Sequence, residues 1–254
     1  MTPKEVLLVH SLKGCKTTAI VGSILDKHDI DHMVIHRDHL QKRLFKGKDL
    51  VIVVGGDGTF LRATHLIKDN TPILGVNCDV TKNEGFFTRA NRDNFEKKLK
   101  LIIAGKHKIT LLQRLSTKLN SKQMAILALN DIFLGERKAY RVSRYWLNSE
   151  FHKSSGVIVS APAGTHAWYR SAGGRPRPIN SHEFAFLVRE PYTGRLVKPI
   201  KTHGILSQKD ILTIRSDCSD GIIVFDSISK EFSFRRDDVV KIAISDKPIH
   251  FVEF

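Results

Sequence analysis

The run Leu50-Val51-Ile52-Val53-Val54 passes directly into Gly55-Gly56-Asp57-Gly58-Thr59. A β-branched run of this length reads as a strand buried on both faces, which is the habit of a parallel sheet covered by helices. Apolar residues at helical spacing follow over Thr59–Ile67: Phe60, Leu61, Ala63, Leu66 and Ile67. A glycine-rich turn between buried strand and helix lets a phosphate approach the backbone amides, and the helix N-terminus adds unpaired N–H groups. Asp57 sits in that turn. A carboxylate is a poor neighbour for phosphate unless it takes a proton from an attacking hydroxyl or works through a metal. The competing reading is an Asp-Gly hairpin, which needs a returning strand where the sequence has a helix pattern.

The rest of the first half repeats the strand–helix alternation. Strands are expected at Val6–Val9, His32–Ile35 and Ile73–Val76, and helices at Thr17–Leu25, His39–Phe45 and Phe95–Ala104. Such alternation predicts a doubly wound α/β domain. Near Gly105–Lys108 the pattern changes to strands separated by turns: Ile109–Leu115, Ala125–Leu134, Tyr140–Leu147, Val157–Ser160, Phe184–Val188, Ile211–Ile214, Ile222–Phe225, Glu231–Phe234 and Val239–Ile244. Only Thr165–Ala172 reads as an interposed helix. We expect an α/β domain over residues 1–105 and an all-β sandwich over 106–254, whose C-terminal tail is a candidate to return to the first domain. Arg175-Pro176-Arg177-Pro178 is the nearest thing to a rigid linker.

Composition narrows the function classes. The 254 residues are 41 % hydrophobic, enough for a core and too many for a disordered chain. No apolar stretch approaches the roughly 18–20 residues of a membrane-spanning helix, and the N-terminus lacks a secretory h-region. The three cysteines, Cys15, Cys78 and Cys218, form no CxxC pair, so neither a disulfide framework nor a zinc knuckle is indicated. A cytoplasmic protein without membrane attachment is expected. The net charge of +15 favours polyanionic ligands without choosing among nucleotides, nucleic acid and anionic surfaces.

Two further constellations carry chemistry. Asn130-Asp131 interrupts an apolar strand. An Asp can hold vicinal ribose hydroxyls, and an Asn can donate to and accept from a purine edge; a strand end with internally paired polar groups is the alternative. Ser160-Ala161-Pro162-Ala163-Gly164-Thr165-His166-Ala167-Trp168 enters a helix that Ser171-Ala172-Gly173-Gly174 ends. Thr165 is the expected N-cap and Gly173 the expected C′ glycine. Small residues let a ligand lie on the backbone there, and Trp168 offers a flat wall; an ordinary capped helix with a core Trp is the alternative. His36 and His39 are close but lack a carboxylate at metal spacing. His10, His28, His203 and His250 read as surface or packing residues, and Phe86-Phe87 as a domain-edge packing pair.

Taken in order, these segments resemble the NAD kinase family. Gly55–Thr59 matches its GGDGT loop. Leu74-Gly75-Val76-Asn77 and Glu84-Gly85-Phe86-Phe87-Thr88 are similar to its GVN…GFLT stretch. Asn130-Asp131 matches its Asn-Glu/Asp pair, and Ser160–Gly174 resembles its TPTGSTAYSLSAGG segment. The wording of Ala128–Glu136 and of Lys153–Gly156 is similar to the mitochondrial type; without a visible presequence, a prokaryotic relative is expected. The resemblance implies phosphoryl transfer from ATP or polyphosphate to the 2′-hydroxyl of the adenosine ribose of NAD(H). Asp57 would be the catalytic base. Mg²⁺ or another divalent cation would come with the donor, with no protein-held metal site. Nucleotide contacts are implied for Gly55, Gly56, Gly58, Thr59, Arg62, Asn77, Asn130, Asp131, Arg141, Lys153, Ser155, His166, Ala167, Trp168, Tyr169, Arg170 and Ser171. Assembly as a homodimer or homotetramer is implied as well.

The sequence departs from the family in its third segment. Ala161-Pro162-Ala163 replaces Thr-Pro-Thr, and Thr165-His166-Ala167-Trp168 replaces Ser-Thr-Ala-Tyr. Ser155 stands where many bacterial members have an Asp, and the late Asp-Gly survives only as Asp226-Ser227. These changes predict Trp168 packed against the nucleotide and His166 beside a phosphate or ribose oxygen. Two other functions compete. A lipid kinase with the same loop would need an apolar tunnel, and a nucleic-acid-binding protein would bind with steep salt dependence but lacks a recognition motif.

Overall fold

Every residue of Leu50–Gly55 is buried, as the third strand of a mostly parallel sheet. The computed structural model describes residues 2–11, 16–195, 201–228 and 230–254; Cys15 lies outside them. The chain forms two compact units, Met1–Leu111 with Lys247–Phe254, and Leu112–Asp246. The crossing at Leu111–Leu112 lies six residues beyond the sequence boundary at 105.

In the first unit the strands are β1 (Glu5–His10), β2 (Asp31–His36), β3 (Leu50–Gly55), β4 (Ile73–Asn77), β5 (Thr88–Asn91) and β6 (Lys108–Leu112). In the second they are β7 (Leu115–Leu119), β8 (Lys122–Gln123), β9 (Asp131–Glu136), β10 (Ser143–Leu147), β11 (Glu150–Ser154), β12 (Val157–Ser160), β13 (Glu183–Val188), β14 (His203–Ser207), β15 (Leu212–Ser216), β16 (Gly221–Phe225), β17 (Glu231–Phe234) and β18 (Val239–Ile244). The last strand, β19 (Ile249–Glu253), rejoins the first unit.

The first sheet runs β2-β1-β3-β4-β19-β6, with β5 also paired to β4. Strands β2, β1, β3 and β4 pair in parallel. Helices α1 (Lys16–Lys27), α2 (Asp57–Thr64) and α3 (Phe95–Ile103) accompany them. Val21 and Leu25 of α1 and Phe95, Leu99 and Ile102 of α3 close one core with the sheet. The order reverses between β1 and β3, and a doubly wound sheet offers its ligand crevice beyond the carboxyl ends of strands at that point. The GGDGT segment occupies the carboxyl end of β3.

The second unit stacks two six-stranded sheets, β11-β10-β15-β18-β7-β8 and β14-β13-β12-β9-β16-β17, all antiparallel in their pairings. Leu115, Tyr145, Leu147, Ile214 and Ile242 from one meet Ile132, Leu134, Val157, Val159, Phe184 and Phe225 from the other. This is the expected sandwich. Among the described residues no helix is long and apolar enough to cross a membrane.

Several expected elements differ. His39–Phe45 is not one helix but the end of one 3₁₀ turn, Arg37–His39, and a second, Lys42–Phe45. Only Phe45 of these turns is buried, so no apolar stripe sustains a longer helix. Ile109–Leu115 is divided between β6 and β7. The strand expected over Ala125–Leu134 begins only at Asp131; before it, Ala128 makes a single bridge to Leu115. Asn130-Asp131 therefore opens a strand and does not interrupt one. The helix expected over Thr165–Ala172 is a 3₁₀ turn, Ala163–His166, and one α-turn, α4 (Trp168–Ser171), broken at Ala167. Arg175–Pro178 is a loop inside the second unit, where the Arg177 amide donates to Thr165 Oγ1 at 2.8 Å; it links no domains.

Candidate functional site

Helix α2 starts at Asp57, two residues before the sequence pattern indicated, and Gly56 precedes it in extended conformation with no side chain to cap the first turn. The amides of Thr59 and Phe60 donate back to the Gly56 carbonyl. Those of Asp57 and Gly58 belong to the first turn, where a helix supplies no partner of its own. Gly58 is exposed and a Cβ there would meet nothing within 4 Å, whereas a Cβ on Gly56 would come within 2.8 Å of Asn83 Oδ1. The loop is thus closely backed at Gly56 and open at Gly58.

The Asp57 carboxylate is held at both oxygens. The Phe86 amide donates to Oδ2 at 3.0 Å and the Phe87 amide to Oδ1 at 2.8 Å. A carboxylate oxygen has a second acceptor position, so Asp57 stays able to accept a proton while its direction is fixed. The donors are themselves anchored. The Phe87 ring is buried and stacked on Phe60 of α2 at 4.9 Å, and Phe251 of β19 meets both rings edge-on. Gly85, with φ +71°, turns the chain into this pair. Phe86-Phe87 is thus part of the candidate site as well as of the core.

Around the loop, Arg37 Nη1 donates to Thr59 Oγ1 at 3.3 Å. Arg62 lies on α2 and pairs with Asp38 at 3.1 Å. Asn77, at the end of β4, is buried, donates to the Asn83 carbonyl and accepts from the Asp79 amide. Its side chain holds the loop beside the GGDGT turn. The His36 ring meets those of His10 and His39 edge-on, at 5.2 and 5.9 Å. Among the described residues no three His, Cys, Asp or Glu side chains converge as a metal site would require.

In the second unit Asp131 is 3 % exposed and Asn130 half-buried. Asn130 Oδ1 and Asp131 Oδ1 are both buried without a hydrogen-bond partner among the described residues. Leaving such atoms unmatched costs about 1–3 kcal/mol each, and side chains that keep this cost are candidates to meet a ligand. Burial, and then the nearby charge of Asp226, push the Asp131 carboxyl up to about 8. Asp226 accepts from the amides of Leu129, Asn130 and Asp131 at 2.9, 2.7 and 3.0 Å. Arg114, fully buried, is lowered to about 10 by burial, against the opposing attraction of Asp226.

The Ser160–Gly174 segment is built differently from the sequence expectation. Thr165 does not cap a helix: its hydroxyl donates to the Pro162 carbonyl at 2.6 Å and accepts from Arg177. Gly173 is the C′ glycine, with φ +97°; its amide reaches the Arg170 carbonyl and that of Gly174 the Tyr169 carbonyl, the paired bonds of a Schellman ending. Trp168 is half-buried against Phe133 at 5.3 Å, with the Arg189 guanidinium 5.2 Å over its ring. His166 Nε2 lies 2.8 Å from the Arg177 carbonyl. Both residues expected to face the nucleotide thus have protein partners. Tyr169 is buried, while Arg170 and Ser171 are exposed and Ala167 half-buried. Gly164 is pressed against Asn130, whose carbonyl would lie 1.9 Å from a Cβ. This contact brings the segment to the Asn-Asp pair.

The remaining candidates lie apart from this contact. Arg141 is exposed and reaches Ser219 Oγ at 3.2 Å. Lys153 and Ser155 flank the end of β11, and the Ser155 amide donates to the Arg189 carbonyl. Sequence reasoning missed the Phe86–Phe87 amides, Arg37 and the role of Asp226. The only signal for Asp226 was its place as the remnant of the late Asp-Gly.

The model of the ATP-NAD kinase N-terminal domain matches residues 10–107. A probable NADH kinase of Oryza sativa subsp. japonica is 32 % identical, over 92 % of this chain and 79 % of that protein. An NAD kinase of Thermoplasma acidophilum is 27 % identical over 95 % and 90 %. Among solved structures, an Archaeoglobus fulgidus NAD kinase in complex with ATP superposes with TM-score 0.81 at 22 % identity, covering 97 % of this chain and 92 % of that one. A yeast NADH kinase complexed with NADH gives 0.83 at 17 % identity, covering 100 % and 84 %. The structural likenesses establish the fold, and the rice relative, matched over most of both chains, establishes that this chain belongs to the NAD kinase family.

Proposed function

We propose that the protein transfers the terminal phosphoryl group of ATP or polyphosphate to the 2′-hydroxyl of the adenosine ribose of NAD or NADH. The observation that carries this reading is Asp57, held at both oxygens by backbone amides in the first turn of α2. In the reaction Asp57 accepts the hydroxyl proton, the ribose oxygen bonds to phosphorus, and the bridging P–O bond breaks to release ADP or a shortened polyphosphate. The first-turn amides around Gly56–Thr59 stabilise the charge of the donor phosphates. Asn130 and Asp131 hold the dinucleotide through their unmatched oxygens, and Arg62, Asn77, Arg141, Lys153, Ser155 and His166–Ser171 complete the nucleotide contacts. The relatives named NAD kinase and NADH kinase support this reading.

Mg²⁺ would neutralise charge on the donor phosphates. An ion that arrives with the donor suits this chemistry, since Mg²⁺ keeps several waters and binds chiefly through substrate phosphates. It would be held by the donor's phosphate oxygens and water, leaving the Asp57 carboxylate for the hydroxyl proton. We also propose a homodimeric or homotetrameric assembly in the cytoplasm.

The test pairs ATP or polyphosphate with NAD or NADH and follows formation of the 2′-phosphorylated product by mass and phosphorus NMR. Product from at least one pair supports the reading and names donor and acceptor. No dinucleotide product from any pair, with phosphorylation of diacylglycerol or sphingosine instead, would replace it with lipid phosphorylation.

A further inference from the structure

Asp226 lies 95 residues beyond Asp131, yet its carboxylate gathers the amides of Leu129, Asn130 and Asp131, and its own amide donates to the Asp131 carbonyl at 2.8 Å. It is 4 % exposed. Asp226 and Ser227 both adopt left-handed backbone, with φ of 51° and 52°. That conformation is unfavourable for residues other than glycine, least so for Asp and Asn. The turn after β16 accepts this strain and delivers a buried carboxylate to the strand that opens at Asp131.

We propose that Asp226 is a positioning residue for dinucleotide recognition. It fixes the backbone from which Asn130 and Asp131 project, and its charge, added to the burial of Asp131, biases that carboxyl toward meeting the ligand as a hydrogen-bond donor. The proposal rests on the reading of Asn130-Asp131 as the dinucleotide site. Two features carry it. Three consecutive amides converge on one carboxylate, leaving the Asn130 and Asp131 side chains uncommitted at Oδ1. The second carboxyl is buried beside the first, and two carboxylates in one dry site resist joint ionisation.

The charge of Asp226 acts on Asp131, and Arg114, from the turn between β6 and β7, is attracted by Asp226. The raised Asp131 carboxyl, at about 8, agrees with a protonated side chain at neutral pH. In that form it donates one hydrogen bond and accepts others. Above pH 8 it only accepts, which suits ribose hydroxyls and excludes acceptor partners. Dinucleotide affinity therefore carries a titration step that belongs to Asp131.

The test is calorimetric titration of wild type, Asp226→Asn and Asp226→Glu with NAD and with NADH from pH 6 to 9, with folding checked by thermal unfolding. In wild type the affinity changes across this range with a midpoint near 8. Asp226→Asn, which removes the charge, is expected to lower the midpoint by at least one pH unit and to weaken binding at pH 7 at least fivefold. Asp226→Glu keeps the charge but displaces the acceptor, so it keeps the midpoint and loses affinity. A folded Asp226→Asn with wild-type midpoint and affinity overturns the assignment, as do two variants that lose affinity equally with unmoved midpoints. If Asp226→Asn does not fold, the carbon-13 carboxyl signal of Asp131 in wild type decides. Titration near pH 8 supports the proposal, and titration in the ordinary carboxylate range overturns it. A wild type that binds neither dinucleotide overturns the site reading and this proposal together; the outcomes above, with binding intact, overturn this proposal alone.

Discussion

At the scale of single residues, the structure gives the two aspartates of the motifs opposite environments. Asp57 is half-exposed and its carboxylate is clasped by two amides. Asp131 is buried, with one oxygen unmatched among the described residues. Its effect on stability has a definite sign. The carboxyl is raised from 3.8 to about 8, so the folded chain holds a proton that the unfolded chain has lost. The stability it contributes is fully present below pH 4 and falls as pH rises through about 8. Denaturant unfolding at pH 5, 6, 7 and 8 should show wild type losing stability relative to Asp131→Asn at each step. A constant difference would mean that Asp131 titrates normally. At pH 9, where the Asp131 carboxyl is ionised, Asp131→Ala should weaken NAD(H) by about 1.5–3 kcal/mol, the worth of hydrogen bonds to a charged group, and leave ATP affinity unchanged; calorimetry with each ligand reads this directly.

At the scale of elements, Gly164 and the Phe60–Phe87 stack are the tightest links between local structure and site. Gly164→Ala sets a methyl 1.9 Å from the Asn130 carbonyl. Backbone cannot yield as a side-chain tip does, so a loss of about 1–3 kcal/mol is expected, together with weaker NAD(H) binding. Chemical unfolding and dinucleotide titration check both; an unperturbed variant would mean that the segment carries no tension against Asn130. Phe87→Ala removes a buried ring stacked on α2 and should cost about 3–5 kcal/mol. The strands of both units were legible in the sequence because each apolar run buries one or both faces. The start of β9 was not, because Ala125–Leu129 is as apolar as the strand it precedes and hydrophobicity alone does not mark where pairing begins. The α4 region misled for a related reason: Trp168 and Tyr169 fit a helical stripe, but Ala167, at φ −102° and ψ −124°, breaks the turn. Asp57, Asn130 and Asp131 were legible as candidates by residue type and motif. Their partners, Phe86, Phe87 and Asp226, act through backbone amides or from distant sequence, which composition and spacing do not encode.

At the scale of the whole molecule, the first unit depends on the end of the chain. Strand β19 lies between β4 and β6, and Glu253 takes the Arg89 guanidinium at 2.9 Å and the Thr110 hydroxyl. Deleting Lys247–Phe254 should therefore expose Phe60 and Phe87 and make residues 16–111 sensitive to limited proteolysis; unchanged protection would contradict the assignment of β19 to this sheet's stability. The net charge of +15 suits a protein that gathers two anionic nucleotides, and screening predicts weaker donor binding as ionic strength rises. The central claim joins these scales at one atom pair, a ribose hydroxyl and the Asp57 carboxylate. It is tested most directly by measuring kcat for NADP(H) formation, with NAD(H) affinity measured alongside, in Asp57→Asn. The account predicts a loss of about 10²–10⁴-fold in kcat with dinucleotide affinity retained. A variant that keeps more than half of the wild-type kcat would contradict it.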